Sequence, residues 1–369
     1  MKLAFVLFKY FPFGGLQRDM LRIAECCRDR GHQVHIFTLS WEGERPPGIQ
    51  VEVIPIRRLT NHARYRAFHQ RLQGRLQDLG IERVVGFNKM PGLDFYYAAD
   101  PCLKDKLKRE RSALVRLLPR YRHFLRWEAA VFGAQSQTRI LLISPRQEIL
   151  YRACYRTPKS RLVMLPPGIQ QDRRAGPDAG RLRASLRREF GLQEEDKLIL
   201  CIGSGFRTKG LDRSLKALAA LPDDLRRRCR LLAIGSDHAA PFQRLARRLG
   251  VAWQFQVLRG RDDIPRFLQG GDLLLHPAYN ENSGMVILEA VVAGLPVLVT
   301  EVCGYAFYVE QAQAGQVVPE PFSQERLNRQ LAEMLTSPQR AQWRENGIRF
   351  GQRQDLYSMV EHAADLILS

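Results

Sequence analysis

The sequence predicts an α/β protein of two domains, each a doubly wound parallel sheet, on the strength of three observations. The chain has 369 residues, too many for one ordinary core and suited to two domains of roughly 100 to 200 residues each. Short buried strands alternate with helices from the first residues, the rhythm of a parallel sheet covered on both faces. That rhythm halts at Pro166-Pro167-Gly168-Ile169-Gln170 and restarts after a polar, basic stretch over 171–188, where the hinge is placed. The expected domains are 1–167 and 168–350, with a terminal helix in 351–369 packing back on the first.

The elements follow in order. Residues 3–8 form an apolar run of about six residues ending at Lys9 and a Pro/Gly turn. A signal peptide would be longer and would carry a small-residue cleavage site, so the run reads as a buried first strand. Leu16, Met20, Ile23, Ala24 and Cys27 then recur at helical spacing until Gly31. Further strands are expected at 34–39, 51–56, 84–87, 140–144 and 162–165, with a basic surface helix over 65–79. Residues 104–127 break the rhythm. They hold nine Lys or Arg against two acids, with leucines and aromatics interleaved, and suit an amphipathic basic stretch bent at Pro119. In the second half, strands are expected at 198–202, 231–234, 255–258, 272–275 and 297–299, and helices at 211–221, 242–249 and 285–293. Ser337-Pro338 is expected to open a helix as cap and first residue, and a last helix starts near Met359.

Composition narrows the function. The chain is 45% apolar and 26% charged, which excludes a disordered chain or a disulfide mini-protein. Its net charge of +19 predicts anionic partners: nucleic acid, nucleotide or an acidic lipid surface. Seven cysteines without CxxC spacing suit a reduced cytoplasm. No run reaches the roughly 18 apolar residues of a membrane span. HExxH, GxSxG, GxGxxG and the GK[ST] ending of a P-loop are all absent, and the histidines form no close Cys/His cluster.

Three segments carry candidate chemistry. Phe13-Gly14-Gly15-Leu16 links the first strand to the first helix, where backbone N–H groups and a helix N-terminus suit a phosphate, or where the chain simply turns. Residues 203–210, GSGFRTKG, occupy the same position in the second half. There Arg207 and Lys209 suit a diphosphate, or a solvated loop. Residues 276–300 hold Glu281, Asn282, Ser283 and Gly284 in a polar turn, and Glu289 inside an apolar helix. A carboxylate there needs partners, either sugar hydroxyls or a structural donor or buried basic residue. His276 suits packing equally well. Asp19 and Asp100 suit orientation of a sugar or acceptor hydroxyl, or are merely loop or helix carboxylates. The basic stretch suits a membrane contact, a nucleic-acid contact or a solvated face, and no nucleic-acid motif accompanies it.

These residues resemble those of the GT-B nucleotide-sugar glycosyltransferases, in the retaining group with a Glu-x7-Glu motif, glycosyltransferase family 4. Glu281 and Glu289 have that spacing, and Gly14-Gly15, Pro167-Gly168-Ile169, residues 203–210 and Ala293-Gly294-Leu295-Pro296-Val297 also match, so the likeness spans nearly the whole chain. KYFPFGGLQRDM, SWEG at 40–43 and VGFNKMPGLD at 85–94 resemble more narrowly the lipopolysaccharide core glucosyltransferases of type I. The resemblance implies two Rossmann-like domains facing each other across a cleft, acceptor side first and nucleotide-sugar side second. It implies retaining transfer of an α-glucosyl residue from UDP-glucose to an inner-core heptose of the lipid A-core, without a metal, another cofactor or nucleic acid. The expected place is the cytoplasmic face of the Gram-negative inner membrane, on anionic lipid. Glu289 would hold the donor ribose; Glu281, Asn282, Ser283 and Gly284 the transferred sugar; and Lys209 the diphosphate, which Gly14 and Gly15 approach from the other domain. Arg173 lies near the donor, and Asp19 and Asp100 on the sugar and acceptor side. Many members carry an Arg directly after the phosphate-loop glycine, where this chain has Ser204. Arg207 would have to supply that charge. Alternatives are a related enzyme using another hexose or lipid glycan, and a non-catalytic nucleotide- or nucleic-acid-binding protein.

Overall fold

The computed structural model describes every residue of the chain apart from Phe13 and Arg111, together with all side chains but those of these two and of Glu110 and Ala113. The Phe13 end of the first glycine turn and one position of the basic stretch therefore lie outside the described residues. The chain forms two compact units, Met1–Gly168 with Ser358–Ser369, and Ile169–Tyr357. Each is built on a parallel sheet, seven-stranded in the first and six-stranded in the second, and this is the GT-B architecture.

In the first sheet Lys2–Val6 is central, with Gln33–Thr38 and then Gln50–Val53 on one side, and Arg83–Gly86, Phe95–Ala98, Arg139–Leu142 and Leu162–Met164 on the other. The strand order reverses between Lys2–Val6 and Arg83–Gly86, and loops leaving a parallel sheet at such a switch point are where ligands bind. The second sheet repeats the plan. Lys197–Ile202 is flanked by Cys229–Ile234 on one side and Leu273–His276 on the other, with Phe255–Leu258, Val297–Thr300 and Gly315–Val318 outside them. The central strands are buried on both faces, as strands covered by helices on both sides must be. The last helix, Met359–Leu368, packs its buried Met359, Val360, Ala363, Ala364 and Ile367 into the apolar cluster of the first unit, beside Gly15–Asp29.

Several expectations need correction. The basic stretch over 104–127 contributes to three helices, Leu103–Glu110, Ala113–Arg116 and Pro119–Phe132, the last of which begins at the expected bend. Pro119 starts the third at its first turn, where its missing N–H costs nothing. Ser337 ends Gln324–Thr336 rather than capping the next helix, which begins at Arg340 with Gln339 as its N-cap. The polar stretch placed at the hinge contains a helix, Ala179–Glu189, which packs on Ile264–Gly270. Strands Phe95–Ala98 and Gly315–Val318 and helix Pro145–Tyr155 add to the elements expected from the sequence.

One buried carboxylate organises the basic segment. Glu128 Oε1 accepts from Lys89 Nζ at 2.6 Å and Leu103 N at 2.8 Å, while Oε2 accepts from Lys104 N at 2.9 Å and the Tyr155 hydroxyl at 2.5 Å. It thereby caps the N-terminus of Leu103–Glu110, where orphan N–H groups and the helix dipole favour an anion. It also ties that helix to Pro119–Phe132.

Candidate active site

The switch point of the second unit joins loops far apart in sequence. Lys197–Ile202 runs into the loop that starts at Gly203, and its neighbour Leu273–His276 runs into the loop that carries Glu281. The loops are stitched together where Tyr279 N donates to Thr208 O at 2.8 Å. Gly210 lets them approach. It has φ 75°, and a Cβ there would lie 2.0 Å from the carbonyl oxygen of Pro277, so no other residue fits. Lys209 Nζ then meets Glu281 Oε2 at 2.5 Å.

Glu281 is held on every side. It forms a parallel bridge with Cys303, and its loop is fixed by Tyr305 N donating to Ser283 O at 2.8 Å and Thr300 Oγ1 donating to Ala278 O at 2.9 Å. Burial alone would raise its pKa, but His276 and Lys209 outweigh that and hold the carboxyl down at about 2. His276 Nε2 lies 3.5 Å from the same oxygen. Burial pushes the imidazole down, with Lys209 acting the same way and Glu281 opposing. The site at neutral pH is therefore a lysine–carboxylate pair backed by a neutral histidine. Asn282 and Ser283 are buried, and Gly284, φ 81°, turns the chain into Met285–Val292.

On that helix Glu289 is the only polar side chain in an otherwise apolar, buried run. Its Oε1 lies 3.6 Å from Arg173 Nε, both side chains being buried. Arg173 Nη2 donates to Gln170 Oε1 at 3.1 Å, while Nη1 is buried without a hydrogen-bond acceptor among the described residues. Glu289 thus pairs with a buried basic residue. Arg207 is exposed, and its side chain makes no hydrogen bond or ion pair with a described residue.

In the first unit, Gly14 caps Gly15–Asp29. A Cβ on Gly14 would strike Gln17 and the Phe11 ring, whereas nothing lies within 4 Å of the corresponding point on Gly15. Asp19, one turn along, is buried and accepts from the Tyr97 hydroxyl at 2.9 Å. Burial raises its pKa against the pull of Arg18, Tyr97 and Arg22. Asp100 is different: its side chain is exposed, and its backbone oxygen accepts from the Tyr151 hydroxyl at 2.9 Å. Arg213 is a member of the site that sequence reasoning misses. Its guanidinium lies between the rings of Tyr279 and Phe322, 3.6 and 3.5 Å from their centroids, and donates to Pro277 O and Ala278 O at 3.2 and 3.0 Å. It braces the loop that carries Glu281, and nothing local in the sequence links it to that loop. Among the described residues, no three His, Cys, Asp or Glu side chains gather as a metal-ligand set.

The fold and this loop pair define a nucleotide-sugar glycosyltransferase. Residues 183–350 match the family model Glycosyl transferases group 1, and residues 13–173 match Glycosyltransferase Family 4. The chain is 45% identical over 368 residues to the lipopolysaccharide glucosyltransferase WaaG of Escherichia coli (strain K12), covering 100% of this chain and 98% of that one. A crystal structure of WaaG, a glycosyltransferase involved in lipopolysaccharide biosynthesis, superposes with a TM-score of 0.95 and covers 99% of each chain. Anabaena Alr3699/HepE in complex with UDP and glucose shares the fold, with a TM-score of 0.75 at 18% identity. The chain belongs to the family of the lipopolysaccharide glucosyltransferases.

Proposed function

We propose that the protein transfers a glucosyl residue from UDP-glucose to a heptose of the lipopolysaccharide core, with retention of the α configuration. The observation that carries this reading is 45% identity along the full length of both chains with a lipopolysaccharide glucosyltransferase, in a chain whose Lys209 and Glu281 are held together at the switch point of the second unit. The unit Ile169–Tyr357 takes the nucleotide sugar and the unit Met1–Gly168 the acceptor.

Lys209 neutralises the diphosphate, with Arg207 free to swing toward it. Glu289, positioned by Arg173, accepts from the ribose hydroxyls. Glu281, with Asn282 and the amides of Ser283 and Gly284, holds the glucose. Gly14 and Gly15 open the first helix of the acceptor-side unit with backbone N–H groups that suit an anion, and Asp19 and Asp100 orient the acceptor. The bond from the anomeric carbon to the β-phosphate oxygen breaks with its electron pair going to UDP. The acceptor oxygen bonds to that carbon, and its proton passes to the departing phosphate. Lys209 and the fixed amides stabilise the charge that develops on UDP.

The acceptor is lipid-linked, and the basic segment suits an anionic membrane. No helix among the described residues is long and apolar enough to cross a bilayer. Leu114, Leu117 and Leu118 are exposed, and a cavity of about 650 Å³ has Leu107, Leu117 and Leu125 in its wall and Lys108, Arg116 and Arg122 around it. Apolar groups beside cations that pair with no described residue suit the headgroup layer, and the protein works peripherally on the cytoplasmic face of the inner membrane. The test is UDP release from UDP-glucose with and without glucose-deficient, heptose-bearing lipopolysaccharide. Acceptor-dependent release supports the reading; release at the same rate without acceptor, or none from folded protein, rejects it.

A further inference from the structure

We propose a second anion site on the Ile169–Tyr357 unit, a pocket for a small soluble phosphate-bearing anion of about the size of pyrophosphate. Its centre is Asp272, which directly precedes Leu273–His276. Its carboxylate is saturated: Oδ1 accepts from Arg183 at 2.8 Å and Arg340 at 2.7 Å, and Oδ2 from Arg187 at 3.1 Å and Leu198 N at 2.8 Å. A carboxylate has about four lone-pair positions, so no capacity remains. A cavity of about 260 Å³ adjoins it, lined by Arg183, Arg340 and Arg344, with Asp272 the only acid in its wall.

Arg344 is the unexplained member. Its guanidinium makes no hydrogen bond or ion pair with a described residue, although it is partly buried. Burial and the neighbouring Arg183 act against its charge, yet a guanidinium keeps its proton. The charge is left open to an anion that enters the cavity. Planar guanidinium forks on several sides match phosphate oxygens in geometry as well as sign. The site is distinct from the donor loops. It lies where the parallel strands begin, whereas residues 203–210 and Glu281 lie where they end, so a four-residue strand sets roughly 13 Å between them.

The test titrates the full-length protein with inorganic pyrophosphate by calorimetry, at fixed ionic strength and with saturating UDP so that the donor loops are filled. The wild-type protein is expected to take up one equivalent. Arg344→Gln should bind about tenfold more weakly or worse, and Arg344→Lys should fall between them. Because the Arg344 guanidinium bonds to no described residue and its charge is disfavoured by burial and Arg183, Arg344→Gln should unfold no earlier than the wild type and keep its glucosyl transfer rate in the absence of pyrophosphate. No binding in the presence of UDP, or equal affinity in wild type and Arg344→Gln, overturns the proposal.

Discussion

Lys209 and Glu281 each depend on the other. Lys209→Ala removes the cation proposed to face the leaving diphosphate and strips the half-buried Glu281 carboxylate of its lysine partner. Steady-state kinetics should show kcat lowered about a hundredfold or more, a larger effect than the change in KM. The same pair sets a pH dependence. The folded Glu281 carboxyl titrates at about 2, below its ordinary value of 4.5. Its contribution to stability is therefore complete above the ordinary value and is lost as pH falls toward 2. Denaturation midpoints between pH 2 and 6 should show an acid loss that is smaller in Glu281→Gln. Glu289 and Arg173 show how far residue-level reading goes. A lone carboxylate in an apolar helix signals that it needs a partner, and the partner is an arginine far off in the chain.

Helices and strands are legible where their patterns are strong. The central strands are short apolar runs because helices cover both faces, and Met285–Val292 reads as a core helix for the same reason. Phe95–Ala98 escapes a sequence reading because FYYA is brief and aromatic, with no alternation to mark it. The basic segment reads as one element because its charge is continuous; the breaks come from contacts the sequence does not display, chiefly Glu128 capping Leu103–Glu110. Arg213 is invisible likewise, since its partners come from two distant loops. Glu128→Ala tests the organising role of that carboxylate. It leaves two helix amides and the Tyr155 hydroxyl without their acceptor and Lys89 with only Pro101 O, and should cost about 3–5 kcal/mol in urea unfolding. A change within about 1 kcal/mol would show that water replaces it.

At the scale of the whole molecule, a charge of +19 and exposed leucines on a basic segment make one prediction about place. Replacing Leu114, Leu117 and Leu118 together with serine should weaken binding to phosphatidylglycerol vesicles at least about tenfold. Turnover of a delipidated core acceptor in solution should stay unchanged. Equal vesicle binding would remove the membrane role from this segment. The two parallel sheets, their switch points and the Glu-x7-Glu spacing converge on sugar transfer, which the mass of the product tests directly. Purified protein should be incubated with heptose-bearing, glucose-deficient lipopolysaccharide core and either UDP-glucose or UDP-galactose, and the acceptor mass measured. A gain of a single hexose with UDP-glucose alone is the expected result; no gain from folded, UDP-binding protein, or an equal gain from UDP-galactose, would contradict it.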